Sequence, residues 1–219
     1  MNEWFNLVDY TISEQIIFAL GCALWFVVYA VTIYSLYKNK FCEIPAWVVC
    51  ANISWEFLKS FIFLTDMGKF YNIAYAGWFF LDLYILYGAY RYGDKLVFTP
   101  AIKKYFKLIL SFNFISWFAI IYFMMYLKYD DVVGALSAFV INIVISVLYN
   151  YVILNVDIKY LNNFSYTVAW TKMFGTAFVG IFAAIHWQGN YLLVSLGVII
   201  FILDLCYTLL LYKKRRKNK

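Results

Sequence analysis

The sequence predicts an all-α fold, a bundle of seven transmembrane helices. Three observations predict it. Of 219 residues, 65% are hydrophobic, only 14% are charged and mean hydropathy is +0.75, a balance foreign to a water-soluble domain. The apolar residues run in continuous stretches instead of alternating in and out, which favours helices over an outer-membrane barrel. Lysines and arginines collect on alternate connections, as they do in a chain that crosses a bilayer repeatedly.

Each window is long enough to cross a bilayer. The first, 16–37, follows an acidic head (Glu3, Asp9, Glu14) without the basic start or small-residue cleavage site of a signal peptide, so it reads as a retained span. The second, 45–64, opens at Pro45, where a missing N–H costs nothing. The third, 71–90, leads into the longest connection, 91–105, whose Pro100 stands just before the fourth, 106–127. The fifth, sixth and seventh (132–154, 165–184, 191–212) follow across short connections. With no other proline, the helices are expected to be unbroken. The windows predict one membrane domain over 1–212 and a basic tail over 213–219, with no soluble module.

An N-terminus outside puts fourteen of the eighteen basic residues on the inner side, six of them between Lys213 and Lys219, and leaves Lys69 and Lys128 outside. That bias predicts a cytoplasmic C-terminus. The tail "KKRRKNK" reads as a contact for anionic lipid, not nucleic acid. Cys22, Cys42, Cys50 and Cys206 show no metal-ligand or CxxC spacing and are expected as reduced thiols.

The third window reads "FFLDLYILYGAYR" from Phe79 and the seventh "FILDLCYTLLLYK" from Phe201. Both carry Phe-x-Leu-Asp-Leu, with Tyr and a cation eight and nine residues after the aspartate. The echo suggests a parallel three-plus-one-plus-three repeat in which Asp82 and Asp204 are equivalent. Chance recurrence in two apolar helices is the competing explanation.

Five ionisable residues fall within the windows: Glu56, Lys59, Asp82, Lys172 and Asp204. Each costs roughly 2.5 to 3.5 kcal/mol at mid-bilayer, so each needs a partner or a purpose. At about 1.5 Å per residue, Glu56, Asp82, Lys172 and Asp204 come from four helices into one layer. Lys59 can reach back to Glu56 at i+3. Asn52 shares a face with Glu56; Tyr75 and Trp78 share one with Asp82; Asn142, Ser146 and Asn150 line another. Such stripes imply an interior cavity. An Asp204–Lys172 pair can equally be a neutralised strut. His186, the one histidine, is expected at the surface.

Aromatic residues make up 23% of the chain, and Trp25, Tyr29, Trp55, Phe63, Trp78, Trp117 and Trp170 lie well inside the windows. Aromatic faces stabilise cations by roughly 2 kcal/mol when water is excluded. A cavity joining carboxyls to such faces suits carbocation chemistry on an apolar molecule.

Here the residues carry a resemblance. "NISWE" (Asn52, Trp55, Glu56), "WFFLD" (Trp78, Asp82), "WTKMFGT" (Trp170, Lys172, Gly175, Thr176) and "LDLCY" (Asp204) resemble the small seven-helix integral-membrane terpene cyclases of meroterpenoid and indole-diterpenoid pathways. The resemblance spans the whole chain in length and helix count. It implies protonation of a terminal epoxide or alkene on a prenylated, lipophilic substrate, ring closure through carbocations and quenching by proton loss, with no cofactor or metal. The family's acidic pair carries over to Glu56 and Asp204. Glu56 is then the general acid, Asp204 its assistant or the terminal base, and Asp82 a stabiliser of positive charge or an orienting group. Asn52, Trp55, Trp78, Trp170 and Lys172 are the expected substrate-binding residues. Lys59 strains the scheme: pointing inward, it would make Glu56 a weaker acid and shift that role to Asp204 or Asp82.

The acidic doublet Asp130-Asp131 belongs to neither a DDxxD nor a DxDD pattern. A retinal protein would need a lysine in mid-helix seven, where none stands. A small-solute transporter with a three-plus-one-plus-three repeat competes; it requires water access from both faces, whereas a cyclase is closed outside and open sideways to lipid. A scaffold would pair its charges with no void between them.

Overall fold

The computed structural model describes residues 4–217. Glu3 of the acidic head and Asn218 and Lys219 of the basic tail lie outside the described residues. The helices are α1 (Ile12–Asn39), α2 (Ala46–Phe61), α3 (Lys69–Tyr92), α4 (Pro100–Lys104), α5 (Phe106–Tyr126), α6 (Ala135–Asn155), α7 (Ile158–Leu161), α8 (Tyr166–His186) and α9 (Tyr191–Lys217). The connection expected at 91–105 is partly ordered, with a 3₁₀ turn over Gly93–Leu96 ahead of α4, and α7 adds one turn between α6 and α8.

Helix starts follow local chemistry. Thr11 and Glu14 cap each other's backbone at the start of α1, a reciprocal box that satisfies two N–H groups. Pro45 precedes α2, and Pro100 is the first residue of α4. The hydroxyl of Ser165 accepts from the N–H groups of Thr167 and Val168 at the start of α8.

Among the described residues five helices, α1, α5, α6, α8 and α9, are long and apolar enough to cross a membrane. The sequence reading expected seven. At 16 residues α2 is about 24 Å long, short of a typical hydrocarbon core of about 30 Å. In α3, Asp82 and six tyrosines dilute the hydropathy.

Packing gives the architecture. α1 lies against α3 and α8, α3 against α2, α2 against α6, α6 against α9, and α9 against α8. Six helices therefore close a ring in the order α1, α3, α2, α6, α9, α8, while α5 lies outside it against α2. Each half of the ring runs first, third, second in chain order. Asp82 and Asp204 also hold equal places, thirteen residues after Lys69 and Tyr191.

Glycine sets the closest approach in the ring. A Cβ at Gly21 in α1 would stand 2.9 Å from both the Gly175 carbonyl and Val179 Cγ2 in α8, and one at Gly175 would stand 3.1 Å from Trp25 Cδ1. Only glycine lets these backbones come so near, and the approach lays Trp25 onto α8.

At one end of the bundle, the head end, the N-terminal segment folds over the α2–α3 connection. Asn6 N–H donates to the Met67 carbonyl at 2.9 Å and the Tyr10 hydroxyl to Asp66 at 2.7 Å. At the other, the tail end, α9 runs unbroken through the basic residues. Lys214 donates to the carbonyls of Ile153 and Leu154 in the last turn of α6 and to that of Val156 just beyond it, and Arg215 to Leu161, Asn162 and Phe164. Part of the basic tail thus seals the α6–α8 connection.

Candidate active site

Glu56 stands in the middle of α2, facing the interior of the ring and 3% exposed. The Tyr29 hydroxyl of α1 donates to its Oε1, and Asn52, one turn earlier on α2, donates to the Tyr29 oxygen at 3.2 Å. Asp82 of α3, 1% exposed, is the neighbouring carboxyl of Glu56. Carboxylates only accept, so a bond between two carboxyls requires one of them to carry the hydrogen. Glu56 Oε2 and Asp82 Oδ2 are buried with no hydrogen-bond partner among the described residues.

A pocket opens from Glu56 toward the head end, with a cavity volume of about 100 Å³. Trp25 and Tyr29 of α1, Asn52, Trp55 and Glu56 of α2, and Tyr75 and Trp78 of α3 line one side. Asn142 and Phe139 of α6, Thr176 and Phe182 of α8, and Trp187 close the other. Rings at Tyr29, Trp78 and Tyr75 stack in sequence, at 6.5 and 5.6 Å between centroids. The arrangement puts a carboxyl pair at the deep end of an aromatic enclosure, where charge is poorly screened by water.

The second pair of charges lies elsewhere. Lys172 Nζ contacts Asp204 Oδ1 at 2.6 Å and Oδ2 at 2.8 Å, and donates to Ser146 Oγ at 2.8 Å. Both members are buried and neither lines the pocket. Lys172 sits behind the pocket wall, its Nζ 5.9 Å from the centre of the Trp25 ring. The expected single layer of four charges is therefore two separated pairs. Trp170 is 38% exposed, donates to the Tyr212 hydroxyl at 3.3 Å and is also away from the pocket, because it lies on the outward side of α8. Phe63 and Trp117 likewise line no part of it; Trp117 belongs to α5, outside the ring.

Of the expected site residues, the structure thus gathers Glu56, Asn52, Trp55 and Trp78 around the pocket with Asp82 directly behind, and leaves Asp204, Lys172 and Trp170 out. Lys59 turns the other way from Glu56, donating to the Val132 carbonyl and facing Asp66, Asp130 and Asp131. Trp55 Nε1 donates to Ser137 Oγ at 2.9 Å and the Gly134 carbonyl at 3.2 Å, so α2 holds the α5–α6 connection over the pocket. Asp130 and Asp131 cap α6: Asp131 accepts from the N–H groups of Val133 and Gly134, and Asp130 from those of Leu136 and Ser137. His186 is partly buried, 3.1 Å from Glu14 Oε1 and stacked on Tyr10 at 4.5 Å.

The role of Tyr29 was missed. Its place four residues after Trp25 marks a shared face, but spacing within one helix does not disclose a bond to another. Thr176 and Asn142 also escaped assignment, although both belong to stretches that stand out in the sequence.

A family model described as Pyr4-like transmembrane terpene cyclases matches residues 8–217. Among curated proteins, Asnovolin H synthase nvfL of Aspergillus novofumigatus (strain IBT 16806) is 28% identical over 101 residues, covering 43% of this chain and 41% of that protein. The matched stretch is thus less than half of the relative's length. No solved structure matches.

Proposed function

This chain belongs to the Pyr4-like transmembrane terpene cyclases, and from that premise we propose that its pocket performs an acid-started cyclisation of a prenylated, lipophilic molecule with Glu56 as the proton donor. Membership makes it a multi-pass integral membrane enzyme that catalyses cyclisation. The relative's name, a synthase of asnovolin H, supports a meroterpenoid-type substrate.

The observation that carries the reading is the buried carboxyl of Glu56 in the lining of an aromatic pocket, with the buried carboxyl of Asp82 as its neighbour. The pair holds a transferable hydrogen beside space for a guest. Tyr29 occupies Glu56 Oε1, which leaves the hydrogen to Oε2. Transfer to the oxygen of a terminal epoxide breaks a C–O bond and leaves a tertiary carbocation; transfer to an alkene carbon leaves the same kind of cation. Neighbouring double bonds then attack in turn, each closing a ring. Loss of a proton from carbon to a base ends the cascade, so product and substrate have equal mass. Trp25, Trp55, Trp78 and Tyr75 present faces that stabilise the moving charge. Asp82 acts as the partner that keeps the hydrogen available. Asp204 is proposed as a support: with both oxygens engaged by Lys172, it holds the wall behind Trp25 and is a poor terminal base.

The ring order and the equal places of Asp82 and Asp204 support a three-plus-one-plus-three repeat. We further propose that α2 and α3 cross the membrane with the other five, within the bundle, and that the basic tail end is cytoplasmic. The repeat is shared with the transporter reading, but family membership favours the cyclase.

Membranes carrying the protein are expected to convert an epoxyprenyl aromatic compound to a cyclic isomer. Glu56→Gln should lower that rate by about 10²- to 10⁴-fold. Unchanged product formation at normal protein level removes Glu56 from the mechanism.

A further inference from the structure

Lys172 on α8 reaches across to α6, where its Nζ donates to Ser146 Oγ at 2.8 Å. These helices run in opposite directions, α6 starting and α8 ending at the head end. One turn closer to that end on each lie Asn142, four residues before Ser146, and Thr176, four after Lys172. A lysine is long enough to span the gap between the helices; an asparagine and a threonine are not. Both Asn142 and Thr176 line the pocket.

Their hydrogen-bonding capacity is left open in a specific way. Asn142 Nδ2 donates to the Ala138 carbonyl of its own helix at 3.0 Å, which fixes the amide and turns Oδ1 away from that carbonyl. Among the described residues Oδ1 is buried with no partner, and so is Thr176 Oγ1 in a residue 4% exposed. Asn150, two turns further along α6, differs: its Nδ2 donates to two carbonyls, one of them Leu203 on α9. Buried polar atoms without a partner are costly, and here an acceptor and a hydroxyl face one space.

We propose that Asn142 and Thr176 form a station for a hydroxyl on the substrate, whose O–H donates to Asn142 Oδ1 while its oxygen accepts from the Thr176 hydroxyl. The inference rests on the cyclase reading and names the substrate class within it: a phenol or alcohol bearing the prenyl chain. An ether or ketone satisfies Thr176 alone and leaves Asn142 Oδ1 bare. In the ring, α8 stands opposite α2, so the station holds the hydroxyl-bearing head away from Glu56 and presents the chain's far end to the carboxyl pair.

The test compares binding of an epoxyprenyl phenol with that of its methyl ether, using protein in lipid nanodiscs that carries Glu56→Gln so that turnover does not consume the probe. We expect the phenol to bind about tenfold more tightly than the ether. Asn142→Leu and Thr176→Val should each bring that ratio to about one by weakening the phenol while leaving the ether within twofold. Thr176→Ser should restore it. A wild-type station with no preference for the phenol, or a preference that survives both substitutions, overturns the proposal. Equal weakening of both probes, unrelieved by Thr176→Ser, overturns it too, since that is the mark of a packing defect. Residual cyclisation by Glu56→Gln would count against the acid and not against the station, which stands or falls on the binding ratio alone.

Discussion

Asp82 and Asp204 occupy equal places in α3 and α9, yet their surroundings differ in kind. Asp82 lies beside another carboxyl, Glu56, directly behind the pocket wall; Asp204 meets Lys172, whose ammonium also donates to Ser146, away from the pocket. One pair needs a hydrogen on one of its members, whereas the other neutralises itself with a full charge on each side. A buried ion pair is complete as it stands and has nothing to give. A carboxyl pair beside an aromatic cavity has a proton to give and somewhere to put it. The lesson is that a charge inside a membrane protein takes its role from the neighbouring helix.

That contrast can be broken most forcefully at Lys172. Lys172→Met strands Asp204 as an unpaired buried charge and should destabilise the protein by about 3 to 5 kcal/mol, seen as a large fall in melting temperature. Adding Asp204→Leu should recover most of the loss, because an apolar pair of similar volume replaces the ion pair. If the double variant melts as low as the single one, the pair does more than neutralise.

On the other side, Asp82→Asn should lower turnover by about 10²-fold while the melting temperature moves little, since the amide matches the carboxyl in size. Tyr29→Phe takes from Glu56 Oε1 its donor and from Asn52 its acceptor, while the ring stays in its stack. About a tenfold drop in kcat with KM unchanged is expected. A rise in KM with kcat intact would instead make Tyr29 a substrate contact.

A third buried carboxyl sharpens the comparison. Glu43, in the α1–α2 connection and fully buried, has neither a carboxyl nor a lysine partner; it accepts from Ser165 N–H at 2.8 Å. Burial, only partly offset by that bond and by Arg215, pushes it up to about 8 from an ordinary 4.5. The folded state therefore holds the proton more tightly than the unfolded chain. Its stabilisation is full below about pH 4.5 and is lost as pH rises through about 8. The melting temperature should fall across that window and level off above it. Glu43→Gln should flatten the decline, and a decline that persists would assign it to another group. The smallest effect belongs to Trp170→Ala, at an exposed position outside the pocket, which should change stability by no more than about 0.5 kcal/mol and turnover by less than twofold.

Much of this was legible beforehand. Each of the seven hydropathy windows coincides with a long helix among the described residues to within a few residues, and five of those helices are long and apolar enough to cross a membrane. The Asp82–Asp204 echo has a counterpart in the fold, where each aspartate stands thirteen residues after the start of its helix. Pairing was not legible: Glu56, Asp82, Lys172 and Asp204 share a depth, and depth along an axis does not say which helices are neighbours. Lys59 shows the same limit, since i+3 spacing allowed a bond to Glu56 while Val132 and the acidic α5–α6 connection drew it away. Trp170 looked internal by position, but a helix in a ring has an outward side that single-residue hydropathy does not reveal. Tyr29 needed coordinates altogether, because its partner lies 27 residues away on another helix.

The most direct test sets two charge-neutral double variants side by side on an epoxyprenyl aromatic substrate, at matched levels of membrane-inserted protein. Glu56→Gln with Asp82→Asn should be slowed by at least about 10²-fold, while Lys172→Met with Asp204→Leu should stay within about tenfold of the parent. A silent second variant beside an active first one would contradict the account, placing the acid at Asp204 and the strut at Glu56.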